Sequence, residues 1–521
     1  GINMKIRQGE VTAIVGPSGS GKSTIARLID SLWEDIYKDT TCIFQWESDM
    51  ATSFLRKLFS KETLAKIKEK NPNFSYIDLL SIGNGAIRPA GASYRDALSR
   101  GEYRDNGNAE INDFLKSTLG NMVFQEQIMG FLNKFCGYSM GESDGVRRAI
   151  GKKTGTEVLL PEIKIRFIKE MSDNHGLTEK EASELIGDFL QVILDASDYA
   201  FSLNHSDPYS WTGYICGYLR YYYPLEFLTT AFNIYSTKKK DEEKTANISQ
   251  YASRRGISIL PMRFRKSRSD YAFDKEENAI YRGTSSIKGM SETASEYLYS
   301  LKDNKYDNFV DLLMDVPKNM VNSGQMISLI DLGYFEEFGN INTLHDIYVF
   351  FNEKLNNGVA KSIPLELAEE LFGEEYPYQK TKDGIVKKRQ GIEDMRSLLV
   401  HVENTIKDKH YPEPPLQWVL EKQKEYLGYV DVVTGKNIDR NKLFIKDIVP
   451  LTNRDTKDAW AYAFHVQSLG TGRMARLTVP SNVYMRCPVY ENDVIDADTN
   501  SVRKNNKGYW YLYSYERIKN I

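Results

Sequence analysis

The stretch Val123–Lys153, "VFQEQIMGFLNKFCGYSMGESDGVRRAIGKK", decides how this chain is read. Ile128, Phe131, Leu132 and Phe135 recur at the three- and four-residue spacing that lines one face of a helix. Beyond that stripe, Arg147, Arg148, Lys152 and Lys153 place four positive charges within seven residues. By itself such a run is a solvated helix end. Against a phosphate it acts differently, because Arg donates bidentate hydrogen bonds and Lys supplies a point charge.

Composition sets the frame around this stretch. The 521 residues allow roughly three to four domains of ordinary size. Hydrophobic residues make up 41% and charged residues 27%, the profile of a globular chain. A net charge of −3 gives no global basic signature, so nucleic-acid contact would come from local patches. Cys42, Cys136, Cys216 and Cys487 are far apart and fit no zinc spacing, which reads as buried thiols in a reducing cytosol. No apolar run reaches the roughly 18–20 residues that span a bilayer, and the first residues lack the layout of a signal peptide. The 33 tyrosines gather near basic residues and suggest stacking surfaces, although cores and hairpins use tyrosine too.

The N-terminal segment carries a different signal. "VTAIVG", Val11 to Gly16, reads as a buried strand, and "KSTIARLI" reads as the helix after it. Between them "GPSGSGKST" fits the phosphate-binding loop, with Gly16 and Gly21 letting backbone N–H groups point at phosphate oxygens. Lys22 would reach the terminal phosphates and Ser23, beside Thr24, would ligate magnesium. The lead-in resembles the first strands of an ABC-type ATPase. Hydrolysis also needs a second-strand Asp and a residue that positions water, and no L-S-G-G segment occurs. The best second-strand candidate, "LQVILD" ending at Asp195, lies in a helical pattern through Ala182, Leu185, Ile186, Phe189 and Ile193, opened by a Thr178–Glu181 capping box. The loop is therefore expected to be a fragment without turnover; ATP–Mg binding there stays open.

From Trp33 to about residue 345 the chain resembles the bacterial and bacteriophage replicative DNA polymerase III α subunits, the C-family. "CIFQWESDMATSFLRKLF" (Cys42 to Phe59) is similar to the family's F-Q-x-E-S segment. "GNGAIRPAGASYRD" (Gly83 to Asp96) is similar to its R-P-G-P turn. The opening stretch follows the family's Y-Q-E-Q…G-Y-S-L-G-E-A-D…R-R-A-M-G-K-K run almost position for position. "ASDYAFSLNHSDPYSWTGYICGYLRYYYPLEFLTTAF" (Ala196 to Phe232), "GISILPMRFRKSRSDYAF" and "IYRGTSSIKGM" follow in the family's order. The resemblance implies a DNA-directed DNA polymerase of DNA replication, a nucleotidyltransferase taking dNTP and primer–template DNA. It implies a bacterial or phage-infected cytoplasm, with a sliding clamp or other replisome proteins as possible partners and no membrane.

The same resemblance assigns candidate residues. Arg147, Arg148, Lys152 and Lys153 would hold the incoming triphosphate and the template. His205 and Ser206 occupy the family's H-S position, although "NHSDPYSW" departs from the usual "SHSAAYA". Arg88 in the "IRP" turn is a candidate for the same pocket. A second basic stretch, "RRGISILPMRFRKSR", holds Arg254, Arg255, Arg263, Arg265, Lys266 and Arg268 with no acid and with Phe264 among them. It suits a polyanionic backbone, or else an exposed loop between strands. "NSGQMISLIDLGYFEEFG", Asn322 to Gly339, resembles the helix-hairpin-helix region. There Gly333 would close a hairpin whose N–H groups can hold a DNA phosphate, a turn that calls for positive φ.

The family's magnesium-binding palm carboxylates, the ligands of two-metal nucleotidyl transfer, lie upstream of the F-Q-x-E-S segment. Here the P-loop stands ahead of Cys42, and Asp30, Glu34 and Asp35 do not reproduce the palm motifs. The expectation is a portion without its palm, catalytically incomplete alone and needing Mg²⁺ with dNTP only as part of a complete polymerase. No catalytic residue is assigned, and a seam near residues 28–33 joins the ATPase-like start to it. The alternative is a P-loop ATPase fragment fused to a DNA-binding module. Residues 352–425 read as polar and helix-leaning. Thereafter "AWAYAFHV" alternates Trp460, Tyr462, Phe464 and Val466, and "YWYLYSYERI" alternates Tyr509, Tyr511, Tyr513 and Tyr515 after an "NNKG" turn. The expected fold class is multidomain α+β. Its parts are a P-loop fragment (1–32), the end of the palm and start of the fingers (33–122), helical fingers (123–300), a helix-hairpin-helix region (301–351), a polar helical linker (352–425) and an OB-like barrel (426–521).

Overall fold

The computed structural model describes residues 31–72, 74–152, 154–199, 201–238, 241–373, 375–430, 441–453, 458–470, 474–506 and 508–518. The P-loop residues Gly16, Gly21, Lys22, Ser23 and Thr24, together with Lys153, lie outside the described residues. Two compact units divide the chain between Pro224 and Leu225. That division falls inside the 123–300 segment expected to be one fingers domain.

The first unit is built from helices. Residues 31–38 (α1) precede α2 (Asp49–Leu58), α3 (Lys61–Lys70), α4 (Tyr76–Ala86), α5 (Arg95–Ser99) and α6 (Ala109–Phe114). Then come α7 (Gln125–Cys136), α8 (Met140–Gly151), α9 (Thr156–Asn174), α10 (Glu179–Tyr199) and α11 (Leu203–Tyr222). Local chemistry sets the starts. Ser139 Oγ accepts from Glu142 N while the Glu142 carboxylate accepts from Ser139 N, a capping box that opens α8. Thr178 and Glu181 make the same reciprocal pair ahead of α10.

Two apolar cores form in this unit. In one, Trp46 is fully buried among Leu32, Phe54, Leu55 and Leu58, and Trp33 stacks on Phe59 at 5.6 Å. In the other, the stripe of α7 is buried against α9 and α10. Phe131 lies 5.8 Å from Phe167 and 4.6 Å from Phe189, both stacked. Small polar residues line the close contact between α4 and α11: Ser206 Oγ donates to Ser81 O (2.6 Å) and Asn84 Nδ2 donates to Ser210 Oγ (2.8 Å). Arg220, also on α11, is fully buried and clamps α1, donating to Asp35 Oδ2 (2.7 Å) and Thr41 O (2.6 Å).

In the second unit, α12 (Pro224–Phe232) and α13 (Glu242–Arg254) lead into three strands, β1 (Ser258–Leu260), β2 (Ala272–Asp274) and β3 (Ala279–Tyr281). These pair in the order β1-β3-β2. A helical core follows: α14 (Glu292–Ser300), α15 (Phe309–Asp315), α16 (Ser323–Asp331) and α17 (Ile341–Val349). The strand β4 (Ser362–Pro364), α18 (Leu365–Phe372), β5 (Arg389–Gly391), α19 (Met395–Lys407) and α20 (Leu416–Leu427) come next. The expected 352–425 linker is thus built into the fold, since Leu398, Leu399, Val402 and Ile406 share one core with Phe309, Leu329 and Phe335. Its polarity reflects helices wet on one face. Glu403 of α19 is fully buried and accepts from Phe309 N (3.0 Å) and Val310 N (2.9 Å), capping α15 from another element.

The C-terminal part is an open seven-stranded sheet in the order β10-β11-β8-β7-β6-β9-β12. Its strands are β6 (Lys442–Thr452), β7 (Ala459–Ser468), β8 (Met474–Pro480), then, after α21 (Ser481–Arg486), β9 (Val494–Asp496), β10 (Val502–Lys504), β11 (Trp510–Leu512) and β12 (Glu516–Arg517). The expected tyrosine alternation breaks here. Tyr509 and Tyr513 are exposed, whereas Tyr515 is buried, donating to Cys487 O (2.7 Å), because the chain leaves the sheet between β11 and β12. Along β7 the face runs from exposed Trp460 to buried Phe464 and Val466.

Candidate nucleotide and nucleic-acid interface

Four segments far apart in sequence meet in the first unit. In "CIFQWES" the buried side chains of Ile43 and Trp46 anchor a turn, and Gln45 sits between them at φ +73°. A non-glycine residue seldom adopts that conformation. The turn leaves Phe44 exposed. After α4, the "IRP" turn folds back so tightly that a Cβ on Gly91 would lie 2.0 Å from Ala86 O, a close approach only glycine permits. Arg95 braces this turn from Nε to Ala86 O (2.7 Å) and from Nη2 to Arg88 O (2.8 Å).

Arg88 is held between the segments. Its Nη2 donates to Gln45 Oε1 (3.0 Å), its guanidinium carbon lies 4.6 Å from the centroid of the Phe201 ring, and its Nε is buried without a hydrogen-bond partner. Phe201 is fixed in turn by the start of α7. It bridges Phe124, and its carbonyl accepts from Gln125 N (3.1 Å). Glu126 accepts from Ser202 Oγ (2.7 Å) and Leu203 N (2.8 Å) at the start of α11. Burial acts to raise the Glu126 carboxyl, but those hydrogen bonds outweigh it and hold the group below its ordinary value. His205 is exposed one turn into α11, with ring centroids 6.5 Å from Phe201 and 6.3 Å from Tyr209. Tyr209 meets Phe44 edge-on at 5.2 Å. Ser206 points the other way, buried against α4.

The remaining predicted residues stand elsewhere. Arg147 and Arg148 lie on α8, and both engage Asp144, at 2.8 and 2.7 Å. The Arg147 hydrogen bond, aided by the Arg148 charge, holds the Asp144 carboxyl below its ordinary value. Lys152 is exposed just past that helix. In the second unit the stretch that carries no acid of its own meets acids from other elements. Arg263 pairs with Glu336 (2.6 Å), Arg265 with Glu337 (2.9 Å), Lys266 with Asp274 and Glu277 (2.6 and 2.8 Å), and Arg268 with Glu296 (2.7 Å). The Asp274 and Glu277 hydrogen bonds push the Lys266 ammonium well above its usual range. Phe264 is buried in the helical core, and Arg254 and Arg255 close α13.

Gly333 takes φ +76°, as its position after α16 requires. Its N–H donates to Ile330 O (2.9 Å), and that of Tyr334 donates to Leu329 O (2.9 Å), a Schellman cap in which both amides serve the helix end. Gln45, Phe44, Phe201, Glu126 and Tyr209 were not among the residues singled out from sequence. Motif membership was their available signal, since each lies inside a quoted segment.

Residues 90–175 match the family model of the bacterial DNA polymerase III alpha subunit finger domain, and residues 256–343 match that of a helix-hairpin-helix motif. Residues 1–104 match the ABC transporter model; among the described residues of that span, 31–104, no strand occurs. The DNA polymerase III subunit alpha of Staphylococcus aureus (strain N315) is 29% identical over 303 residues, covering 58% of this chain and 26% of that protein. The Staphylococcus epidermidis protein of the same name is 29% identical over 307 residues, with the same shares. The chain thus resembles DNA polymerase III alpha subunits and spans about a quarter of the length of the curated relatives it matches.

Proposed function

We propose that this chain serves DNA replication as the fingers and DNA-binding portion of a polymerase III alpha-type DNA polymerase, holding incoming dNTP and primer–template DNA. The convergence of the F-Q-x-E-S turn, the "IRP" turn, the start of α7 and the start of α11 on Arg88 carries this reading. A guanidinium propped on an aromatic face, with one N–H taken by Gln45, is preorganised to donate its remaining N–H groups to phosphate oxygens. Exposed His205 and Phe44, with half-buried Tyr209 beside them, supply ring faces and edges for a base. Arg147, Arg148 and Lys152 add positive charge for the triphosphate or the template strand.

Nucleotidyl transfer in such enzymes uses magnesium. Among the described residues no three His, Cys, Asp or Glu side chains group so as to hold a metal. We read Arg88, His205, Arg147, Arg148 and Lys152 as binding and positioning groups. The C-terminal sheet supports an OB-like reading. Three strands meander (β6-β7-β8), a helix follows, β9 pairs antiparallel with β6, and β11 pairs parallel with β8. Trp460, Tyr509 and Trp510 are exposed on it and are proposed to stack single-stranded bases. No helix among the described residues is long and apolar enough to cross a membrane, and we place the work of the chain in a bacterial or phage-infected cytoplasm. A second reading, a P-loop ATPase fragment joined to a DNA-binding module, rests on the ABC transporter match.

The test is dNTP binding to the chain bound to primer–template. Arg88→Ala is expected to weaken the dNTP dissociation constant by about 10- to 100-fold, the worth of a charge-assisted hydrogen bond or two. A dissociation constant unmoved by Arg88→Ala and by His205→Ala would remove the support.

A further inference from the structure

The second unit contains two basic stretches, and their surroundings differ. In the first, Arg263, Arg265, Lys266 and Arg268 each have an acidic partner. Their charges are spent within the protein. The second, "YQKTKDGIVKKRQG" (Tyr378 to Gly391), carries five positive charges and one negative between Lys380 and Arg389. Lys380, Lys382, Lys387 and Lys388 are all exposed. None of these four has an ion-pair partner among the described residues.

This stretch is an ordered arm. Lys380 bridges Val386 antiparallel, Thr381 N donates to Ile385 O (2.7 Å), Gly384 N to Thr381 O (3.0 Å) and Lys387 N to Gln379 O (2.8 Å). Two glutamine side chains lock its base. Gln390 is buried, takes Gln379 N on Oε1 (2.6 Å) and gives Nε2 to Lys387 O (2.8 Å). Gln379 Oε1 accepts from Gly391 N (3.1 Å). The arm is then tied to β4 by the β4–β5 pairing and by Arg389, which donates to Ser362 O (2.7 Å) and Ser362 Oγ (2.9 Å). At the tip Ile385 is 68% exposed.

The braced hairpin holds four ammonium groups in water, none tied to an acid among the described residues, and so presents them free to an incoming anion. Each strand of the arm spans roughly 16 Å at about 3.3 Å per residue. Duplex DNA presents about one phosphate charge per 1.7 Å of axis over such a length, so several phosphates come within reach of the lysines without further chain ordering. We propose that the hairpin 378–391 is a duplex-DNA contact in which Lys380, Lys382 and Lys388, on the face shared across the Lys380–Val386 bridge, lie along the phosphate backbone with Lys387 at its flank. The proposal rests on the polymerase reading for the identity of the polyanion, and on the hairpin alone for its place.

The test uses the full chain and a labelled primer–template duplex titrated at several salt concentrations. Replacing Lys380, Lys382, Lys387 and Lys388 together by Ala is expected to weaken binding at least ~10-fold near ~0.1 M salt. It should also lower the slope of log affinity against log salt by about 3, from roughly 0.9 per phosphate contact. Replacing the same four by Arg should keep both. Because these side chains are exposed, an unchanged thermal midpoint in both variants accompanies this result. Unaltered affinity and slope in the Ala variant, with DNA binding otherwise intact, overturns the hairpin contact and leaves the polymerase reading standing. A wild-type chain that binds no duplex at any salt overturns both. Loss of affinity with an unchanged slope overturns the phosphate contact.

Discussion

At the scale of the residue, Asp331 shows how far a local environment departs from composition. It ends α16, where the helix dipole disfavours a negative charge. Its Oδ1 is buried without a partner, while Oδ2 accepts from Tyr426 Oη (2.9 Å) with Lys422 Nζ 3.7 Å away. Burial raises its carboxyl above the ordinary value. A raised folded-state value favours the folded form when the group is protonated, and that advantage is lost as pH rises through it. Asp331→Asn keeps the acceptor for Tyr426 and removes the charge. The variant is therefore expected to gain stability relative to wild type on going from about pH 4 to about pH 7, around the ordinary carboxyl range. Paired denaturant titrations check this, and a stability difference that does not change with pH contradicts it. Single residues were legible in the sequence only in part. Arg88 stood out in its turn, but its partner Gln45 lies 43 positions away and takes its place through a positive φ that no sequence pattern announces. Gly333 was legible because its backbone conformation is nearly obligatory, whereas the use of its N–H by the helix end was not.

At the scale of the element, the cap of α15 is the sharpest case. Asn308 makes no side-chain cap, and the first two amides of the helix are satisfied by Glu403 from α19. Lys407 in turn neutralises that carboxylate at 2.6 Å. Glu403→Ala leaves both amides buried and unpaired and is expected to cost about 3 kcal/mol. Glu403→Gln, which keeps one acceptor, should cost less. Hydrogen exchange at Phe309 and Val310 reports the same loss directly, and unchanged protection in Glu403→Ala would contradict the assignment. Local caps such as Thr178–Glu181 were readable, because both partners lie three residues apart. A cap supplied from another helix was not. The C-terminal strands were readable in kind, since period-two patterning is local. The break between β11 and β12, which turns Tyr515 inward, depends on packing against Cys487.

At the scale of the whole molecule, the question is what the N-terminal phosphate loop adds to a polymerase-like chain. A working ATPase places an Asp and a water-orienting residue beside the loop on neighbouring strands. The described residues within the ABC transporter match are helical and pack as part of the first unit. ATP hydrolysis by the full chain with magnesium is therefore expected to stay at the level of a buffer blank, and Lys22→Ala to change nothing in phosphate release. Turnover that disappears in Lys22→Ala would favour the ATPase reading instead. The family likeness was legible because ordered motifs survive in a linear string. The fate of the basic stretch at 254–268 was not, since Arg265 finds Glu337 72 positions away. The buried carboxylate of α19 also bears on how the chain is made. Glu403 lies 94 positions after Phe309, so at about 5–20 residues per second a ribosome takes on the order of 5–20 s to deliver it. Until then a nascent chain carries α15 with its first turn unfinished.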